Sequence, residues 1–349
     1  MRALHVSEVG PEAAADVLAV IGRAFGARPP LEPPSTALDE TRESVADRLA
    51  AVGGVLVRRD GDRPVGALLL DTSRPGLLGL RRVSVDPAHQ GHGVASAMVG
   101  LAEDLAEERG LDGVWLTARA ELPDNVTFWL RRDYVQIAAD GSLLVLAKSL
   151  WVAVPVATAT DMRALGTRLA TLVRGGDLLV LTGGLGAGKT TLTQGIGTGL
   201  GVRGAITSPT FVIAREHGST GDGPGLVHVD AYRLGGLDEL DDLDLDSTLA
   251  EAVTVVEWGA GLAEGLADAW LEIRLDLLRG GGDRALAAAG PERGQPPQQP
   301  LATLDRVDTA EVRVASIRPY GPRWATARIR STLLPPRADA TTGHHDRQH

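Results

Sequence analysis

Gly183-Gly184-Leu185-Gly186-Ala187-Gly188-Lys189-Thr190 matches the spacing Gly-x-x-x-x-Gly-Lys-Ser/Thr. Glycine lets a backbone wrap phosphate oxygens, and the loop N–H groups then donate to them. In such a loop the lysine, here Lys189, reaches the β- and γ-oxygens of a nucleotide. The Thr190 hydroxyl is placed to ligate Mg2+. Two acids extend this set. Asp230 ends the apolar run Leu226-Val227-His228-Val229, and Glu257 ends Val253-Thr254-Val255-Val256. Acids at the ends of parallel strands converge on the ligand crevice of an open α/β sheet, where they can hold metal or position water. Each acid alone also fits a solvated strand end.

A second glycine-rich segment lies nearer the N-terminus. Gln90-Gly91-His92-Gly93-Val94-Ala95 follows the turn Asp86-Pro87-Ala88-His89 and opens a helix with Val94, Met98, Leu101 and Leu105 as apolar positions. Amides in such a turn, backed by the positive end of the helix dipole, form an anion site that accepts a diphosphate without a dedicated lysine. A tight turn that uses glycine only for its backbone freedom is the plainer alternative.

The elements that must carry these loops are legible around them. Asp177-Leu178-Leu179-Val180-Leu181 reads as a strand running into the first loop, and a helix is expected from about Lys189 to Leu200, closed by Gly201. Ahead of the second loop, Val55–Val57 and Val65–Leu70 flank Asp60-Gly61-Asp62-Arg63 as a hairpin, and Leu77–Val85 reads as a third strand. The expected fold is α/β throughout. Residues 1–150 form one mixed α/β domain and residues 151–330 a second α/β domain built around the phosphate loop. Gly/Ala/Pro/Gln-rich sequence at about 280–304 reads as a flexible insertion. Ala310–Ile317 reads as a strand, and the polar stretch 331–349, with His344 and His345, as a solvated tail.

Composition sets outer bounds. The 349 residues suggest about two domains, and 44 % hydrophobic with 23 % charged residues is ordinary globular protein. Without cysteine there is no disulfide, no thiolate metal site and no cysteine nucleophile. The formal net charge of −10, with no Lys/Arg run, disfavours a surface that grips a polyanion by itself. Met1-Arg2-Ala3-Leu4-His5 carries no secretory core, no apolar run is long enough to span a bilayer, and a cytoplasmic location is expected. The acidic alternation Asp238–Asp246 reads as a solvated helical face, or else as a docking surface.

Two family resemblances follow. The series Leu-Gly-Ala-Gly-Lys-Thr-Thr at 185–191, Ser208-Pro209-Thr210-Phe211, His228-Val229-Asp230-Ala231-Tyr232-Arg233-Leu234, Glu239-Leu240, Glu257-Trp258 and Gly321-Pro322-Arg323-Trp324 resembles the TsaE (YjeE) family. These are ATPases of the machinery that makes threonylcarbamoyladenosine in tRNA. The resemblance implies that residues 183–188 with Lys189, Thr190 and Thr191 bind ATP phosphates, that Thr190 and Glu257 hold Mg2+, and that Asp230 supports water or metal. It also implies that Thr210 sits in a switch-like loop, that Trp258 packs beside the nucleotide, on a partner or in the core, and that TsaB and TsaD homologues are partners through which tRNA is reached. Gly184 departs from the family, which often has Asp there.

Gln90, Gly93 and Ala95 fit the Gln/Arg-x-x-Gly-x-Gly/Ala pattern of the GCN5-related N-acetyltransferases. That resemblance implies acetyl-CoA as cofactor. Its diphosphate would lie on the amides of His89 to Ala95, including Gly91, His92 and Val94, and its pantetheine arm on backbone groups of Val83 and Val85. Asn125 matches a family Asn, but Phe128-Trp129 stands where Phe-Tyr, with a tyrosine acid, is expected. An active acetyltransferase of unknown amine acceptor and a cofactor-binding module both remain open, as do a P-loop kinase and a scaffold with regulatory sites for the whole chain. Tyr134 reads as a packed aromatic of the next strand, with a relocated acid as the alternative.

Overall fold

The computed structural model describes residues 4–59, 63–209, 212–233, 251–261, 263–277 and 312–334. The expected insertion, the acidic run, Thr210 and the paired histidines lie outside these residues. The chain divides into two compact units, Met1–Leu150 together with the chain from Arg328 onward, and Trp151–Ala327.

In the first unit, β1 (Leu4–Val9), α1 (Ala14–Gly26), α2 (Arg42–Ala51), β2 (Gly54–Arg59), β3 (Arg63–Asp71) and β4 (Leu77–Val85) precede α3 (Val94–Glu108). Then come β5 (Gly113–Arg119), α4 (Pro123–Leu130), β6 (Val135–Asp140) and β7 (Leu143–Ser149). The seven strands line up as β1-β2-β3-β4-β5-β7-β6. Period two along β2 divides its side chains between the two sheet faces. Val55 and Val57 pack with Val94, Met98 and Ala102 of α3. Leu56 packs with Val17, Val20 and Ile21 of α1.

β4 and β5 are the parallel pair of this sheet. They match only from Leu77↔Gly113 to Leu80↔Leu116, after which the two strands part. On its other edge, β4 shifts register against β3 between Leu69↔Arg81 and Ala67↔Ser84, and Arg82 there takes φ 53°. The short helix α7 (Ile329–Leu333) also belongs to this unit. Ser331 is therefore not the start of a solvated tail. Its N–H donates to Asp112 Oδ1 at 3.0 Å and its hydroxyl to Oδ2 at 3.1 Å, between buried Ile329 and Leu333. A polar residue inside a short helix looks like tail in sequence because its partner lies far away along the chain.

In the second unit, β8 (Val152–Val156) and α5 (Ala159–Ala170) lead to β9 (Leu178–Gly183) and α6 (Lys189–Leu200). They are followed by β10 (Ala214–His217), β11 (Gly225–Asp230), β12 (Ala252–Glu257), β13 (Trp270–Leu277) and β14 (Arg313–Tyr320). The order is β10-β11-β12-β9-β13-β14-β8. The inner strands β11, β12, β9 and β13 are mutually parallel, and antiparallel strands flank them. Reciprocal bonds between Thr158 and Asp161 cap α5. Helices α5 and α6 meet through glycine: a Cβ on Gly166 would lie 2.4 Å from Leu192 O, and one on Gly195 2.2 Å from Arg163 O. Gly201 closes α6 in the left-handed conformation at φ 67°.

Candidate functional site

Central strand β9 delivers the first glycine loop. Gly183, Gly186 and Gly188 take φ of 141°, 76° and 108°, values that L side chains rarely adopt. A Cβ on Gly183 would also lie 2.6 Å from Leu275 O. Gly184 and Leu185 are exposed at the tip of the loop, while Ala187 is buried beneath it. Gly188 caps α6 with no side-chain bond, so the first-turn amides at Lys189, Thr190 and Thr191 have no side-chain cap. That is the donor set an anion needs at a helix start.

Lys189 is folded back onto its own loop. Its Nζ donates to Gly183 O at 2.9 Å and Gly184 O at 3.1 Å, and sits 3.8 Å from the centre of the Trp258 ring. Burial lowers its pKa from the ordinary lysine value, and the charges of Glu257 and Asp230 oppose that. Both acids stand at the carboxyl ends of adjacent parallel strands, where Asp230 of β11 is in register with Glu257 of β12. They are 5 % and 3 % exposed, so neither is a solvated strand end.

Glu257 Oε1 accepts the Thr190 hydroxyl at 2.9 Å and meets His228 Nε2 at 2.8 Å. Asp230 Oδ1 accepts the Tyr232 N–H at 3.1 Å, and its Oδ2 the Ser208 hydroxyl at 3.4 Å. This ties Asp230 to the Ser208-Pro209 loop. Trp258 is only partly buried, at φ 61°, with Tyr232 5.3 Å away ring to ring. It belongs to the site and not to the core.

The residues present fit a Mg-nucleotide. One hydroxyl and two carboxylates face the lysine and the amide cradle. Mg2+ is commonly held by one or two carboxylates and completed by phosphate oxygens and water. Among the described residues no group of three or more His, Cys, Asp or Glu side chains is placed to hold an ion. His228, quoted in the sequence only as part of a family series, is the site residue that sequence reasoning gave no role. It is fully buried, and its Nδ1 has no hydrogen-bond partner among the described residues. Its position two before Asp230 on a strand was the available signal, since period two puts both on one face.

The family model for threonylcarbamoyl adenosine biosynthesis protein TsaE matches residues 156–284. A protein of Streptomyces coelicolor named tRNA threonylcarbamoyladenosine biosynthesis protein TsaE is 54 % identical over 170 residues, covering 48 % of this chain and 97 % of that one. The chain belongs to the TsaE family. Outside the TsaE-matched segment, residues 25–134 match the model of the acetyltransferase (GNAT) family, so a GNAT domain precedes the TsaE domain. Among solved structures, YdiB from Bacillus subtilis is similar at 27 % identity, covering 50 % of this chain and 89 % of that one, with a TM-score of 0.33. The PaiA N-acetyltransferase from Thermoplasma acidophilum, solved with coenzyme A, is 12 % identical, covering 41 % and 97 %, with a TM-score of 0.37. No described helix of this TsaE-family chain is long and apolar enough to cross a membrane.

The GNAT domain has its own cleft, about 980 Å³, where β4 and β5 part. Val83, Val85, Gln90, Gly91, Gly93, Val94 and Ala95 all line it. Gly91 and Gly93 take φ of 75° and 79°, and Gly93 starts α3 with no side-chain cap, again leaving amides open to an anion. His92 is exposed, with Nδ1 2.7 Å from Gln90 O. Asn125 lines the cleft. Trp129 is buried, edge-on to Phe128 and Tyr134 at 5.0 Å each. Tyr134 is itself 1 % exposed and donates to Glu103 at 3.1 Å. Burial first, then Glu103, drives its pKa well above the ordinary tyrosine value. It packs in the core and is no acid for the cleft.

Proposed function

We propose that the TsaE domain binds and hydrolyses Mg-ATP and supports TsaB and TsaD homologues in making threonylcarbamoyladenosine in tRNA. The observation that carries this reading is the meeting of Lys189, Thr190, Asp230 and Glu257 at one crevice. The amides of 183–190 and Lys189 would hold the phosphates, and Thr190 and Glu257 the Mg2+, which supplies charge neutralisation when bound. Asp230, anchored by Tyr232 and Ser208, would orient water. Lys189 has to leave its contacts with Gly183 O, Gly184 O and Trp258 to reach phosphate, which links nucleotide binding to a change around Trp258. The test is ATPase turnover of the full chain, alone and with the TsaB and TsaD homologues of the same cell. Stimulation by the pair that Glu257→Ala removes supports the reading. ATP binding without stimulation takes away the pathway and favours a P-loop kinase.

The cleft at the β4–β5 split supports a second activity in the GNAT domain, acetyl transfer from acetyl-CoA to an amine. Its open amides at Gly91 to Ala95 suit the diphosphate, and β4 offers backbone groups at Val83 and Val85 to the pantetheine arm. Calorimetry with acetyl-CoA tests the binding, and thiol release with amine panels tests the transfer. Binding without thiol release for any amine would leave a cofactor-binding module.

A further inference from the structure

The cleft of the GNAT domain is lined by two arginines, and they differ in surroundings. Arg132 donates to Ser96 Oγ in the first turn of α3 and to Phe128 O at 3.1 Å, so it stands behind the diphosphate loop. Arg28 stands on the segment between α1 and α2. That segment is pinned across the split of β4 and β5 by two other side chains. Arg119, from the end of β5, donates to Glu32 O at 2.6 Å and Pro33 O at 2.9 Å. Arg82, from the bulge of β4, donates to Thr36 O at 3.1 Å and pairs with Glu40 at 2.9 Å.

Arg28 itself is half-buried. Its guanidinium lies 3.7 Å over the Phe25 ring, and one N–H reaches Val83 O at a long 3.3 Å. No carboxylate among the described residues pairs with it. Desolvation lowers its pKa, with no acid opposing the shift. The acids that line the same cleft, Glu121 and Asp124, form no ion pair with Arg28 among the described residues. Glu121 is bonded to Arg119, which holds its pKa down at about 2, and Asp124 stands in the first turn of α4. A guanidinium fork that has lost water and has no counter-charge is costly unless a ligand supplies one. Its partner oxygen belongs to Val83, on the stretch of β4 beside which the thioester arm is proposed to lie.

We propose that Arg28 selects the acceptor of the acetyl group, and that this acceptor is an amine carrying a carboxylate, as in an amino acid. The proposal rests on acetyl transfer being the activity of this cleft. In the transfer, the amine nitrogen forms a bond to the acetyl carbon and the C–S bond breaks. One amine proton ends on the departing thiolate, and the extra proton of the starting ammonium goes to solvent. Arg28 holds the carboxylate in a charge-assisted pair and so fixes the nitrogen near Val83.

The experiment measures thiol release from acetyl-CoA by the full chain with matched acceptors, a set of amino acids and their primary amides. Acid forms should exceed their amides in kcat/KM by about tenfold or more. Arg28→Gln should erase that preference by raising KM with kcat nearly unchanged, and Arg28→Lys should restore part of it. Acetyl-CoA affinity and the melting temperature of both variants should match the parent. Equal use of acids and amides would overturn the proposal, as would equal loss on both in Arg28→Gln, or no release with any acceptor. Weaker acetyl-CoA binding in Arg28→Gln would reassign the residue to the cofactor. Failure of the parent to bind acetyl-CoA would bring down the acetyl-transfer reading itself, and this proposal with it.

Discussion

A single oxygen, Oε1 of Glu257, meets both Thr190 and His228, and this sets what each residue should do when changed. Glu257→Ala and Asp230→Ala are expected to keep nucleotide binding in calorimetry and lose most turnover, because the amides and Lys189 remain. Lys189→Ala should abolish measurable ATP binding, and unchanged affinity would remove the phosphate-loop assignment. On the proposed reading, His228 would act through Glu257 as a positioning residue. His228→Leu should lower kcat and raise the Mg2+ needed for half-maximal turnover, with magnesium-free nucleotide affinity unaltered. His228→Gln, which keeps a donor, should recover part of both; a fall in melting temperature with no change in the Mg2+ requirement would mark a purely structural histidine. Lys189 also carries a pH signature. Its folded-state pKa is lowered, so below 10.5 the unfolded chain binds more protons and stability rises with pH toward that value. The unfolding free energy of the nucleotide-free parent relative to Lys189→Met should therefore increase as pH climbs toward 10.5.

At the scale of elements, the phosphate loop depends on a helix pair that only glycine permits. Gly195→Ala would place a methyl 2.2 Å from Arg163 O, and Gly166→Ala one 2.4 Å from Leu192 O. Either change should destabilise the second unit by about 1–3 kcal/mol in denaturant titrations, less whatever alanine gains in helix propensity. ATP affinity should fall too, since α6 carries Lys189 and Thr190. In the first unit, α7 satisfies Asp112 through Ser331 and sets Arg330 beside Glu107 at 2.9 Å. A chain ended after Ala327 should lose stability in the GNAT unit, whereas a fragment that includes Leu334 should not. Equal melting of both fragments would show that α7 contributes nothing.

For the molecule as a whole, the charge of −10 bears on how tRNA is met. An acidic chain makes few phosphate contacts and has little counterion release to draw on. Alone, it should bind tRNA weakly at about 0.15 M salt in filter or mobility assays, with measurable retention only alongside the TsaB and TsaD homologues. Tight, steeply salt-dependent binding by the isolated chain would contradict a role exercised through partners. The pairing of a TsaE domain with a GNAT domain places two glycine-rich loops in one chain, each set at the start of a helix that follows a strand.

Local chemistry in the sequence determined much of this protein. Strand β4 and helix α6 begin and end where apolar runs and glycines say they should, at Leu77–Val85 and Lys189–Leu200. Backbone freedom and alternation are properties of neighbouring residues. The glycine loops, Lys189, Asp230 and Glu257 were legible for the same reason. Only tertiary structure decided that Glu257 shares its oxygen with His228 and Thr190, that Lys189 rests on Trp258, and that Tyr134 is bonded away from the cleft. It alone put Ser331 on Asp112 and left Arg28 without an acid among the described residues. Such pairings join residues tens to hundreds of positions apart, and strand order and register settle them, which no local pattern of residue types encodes.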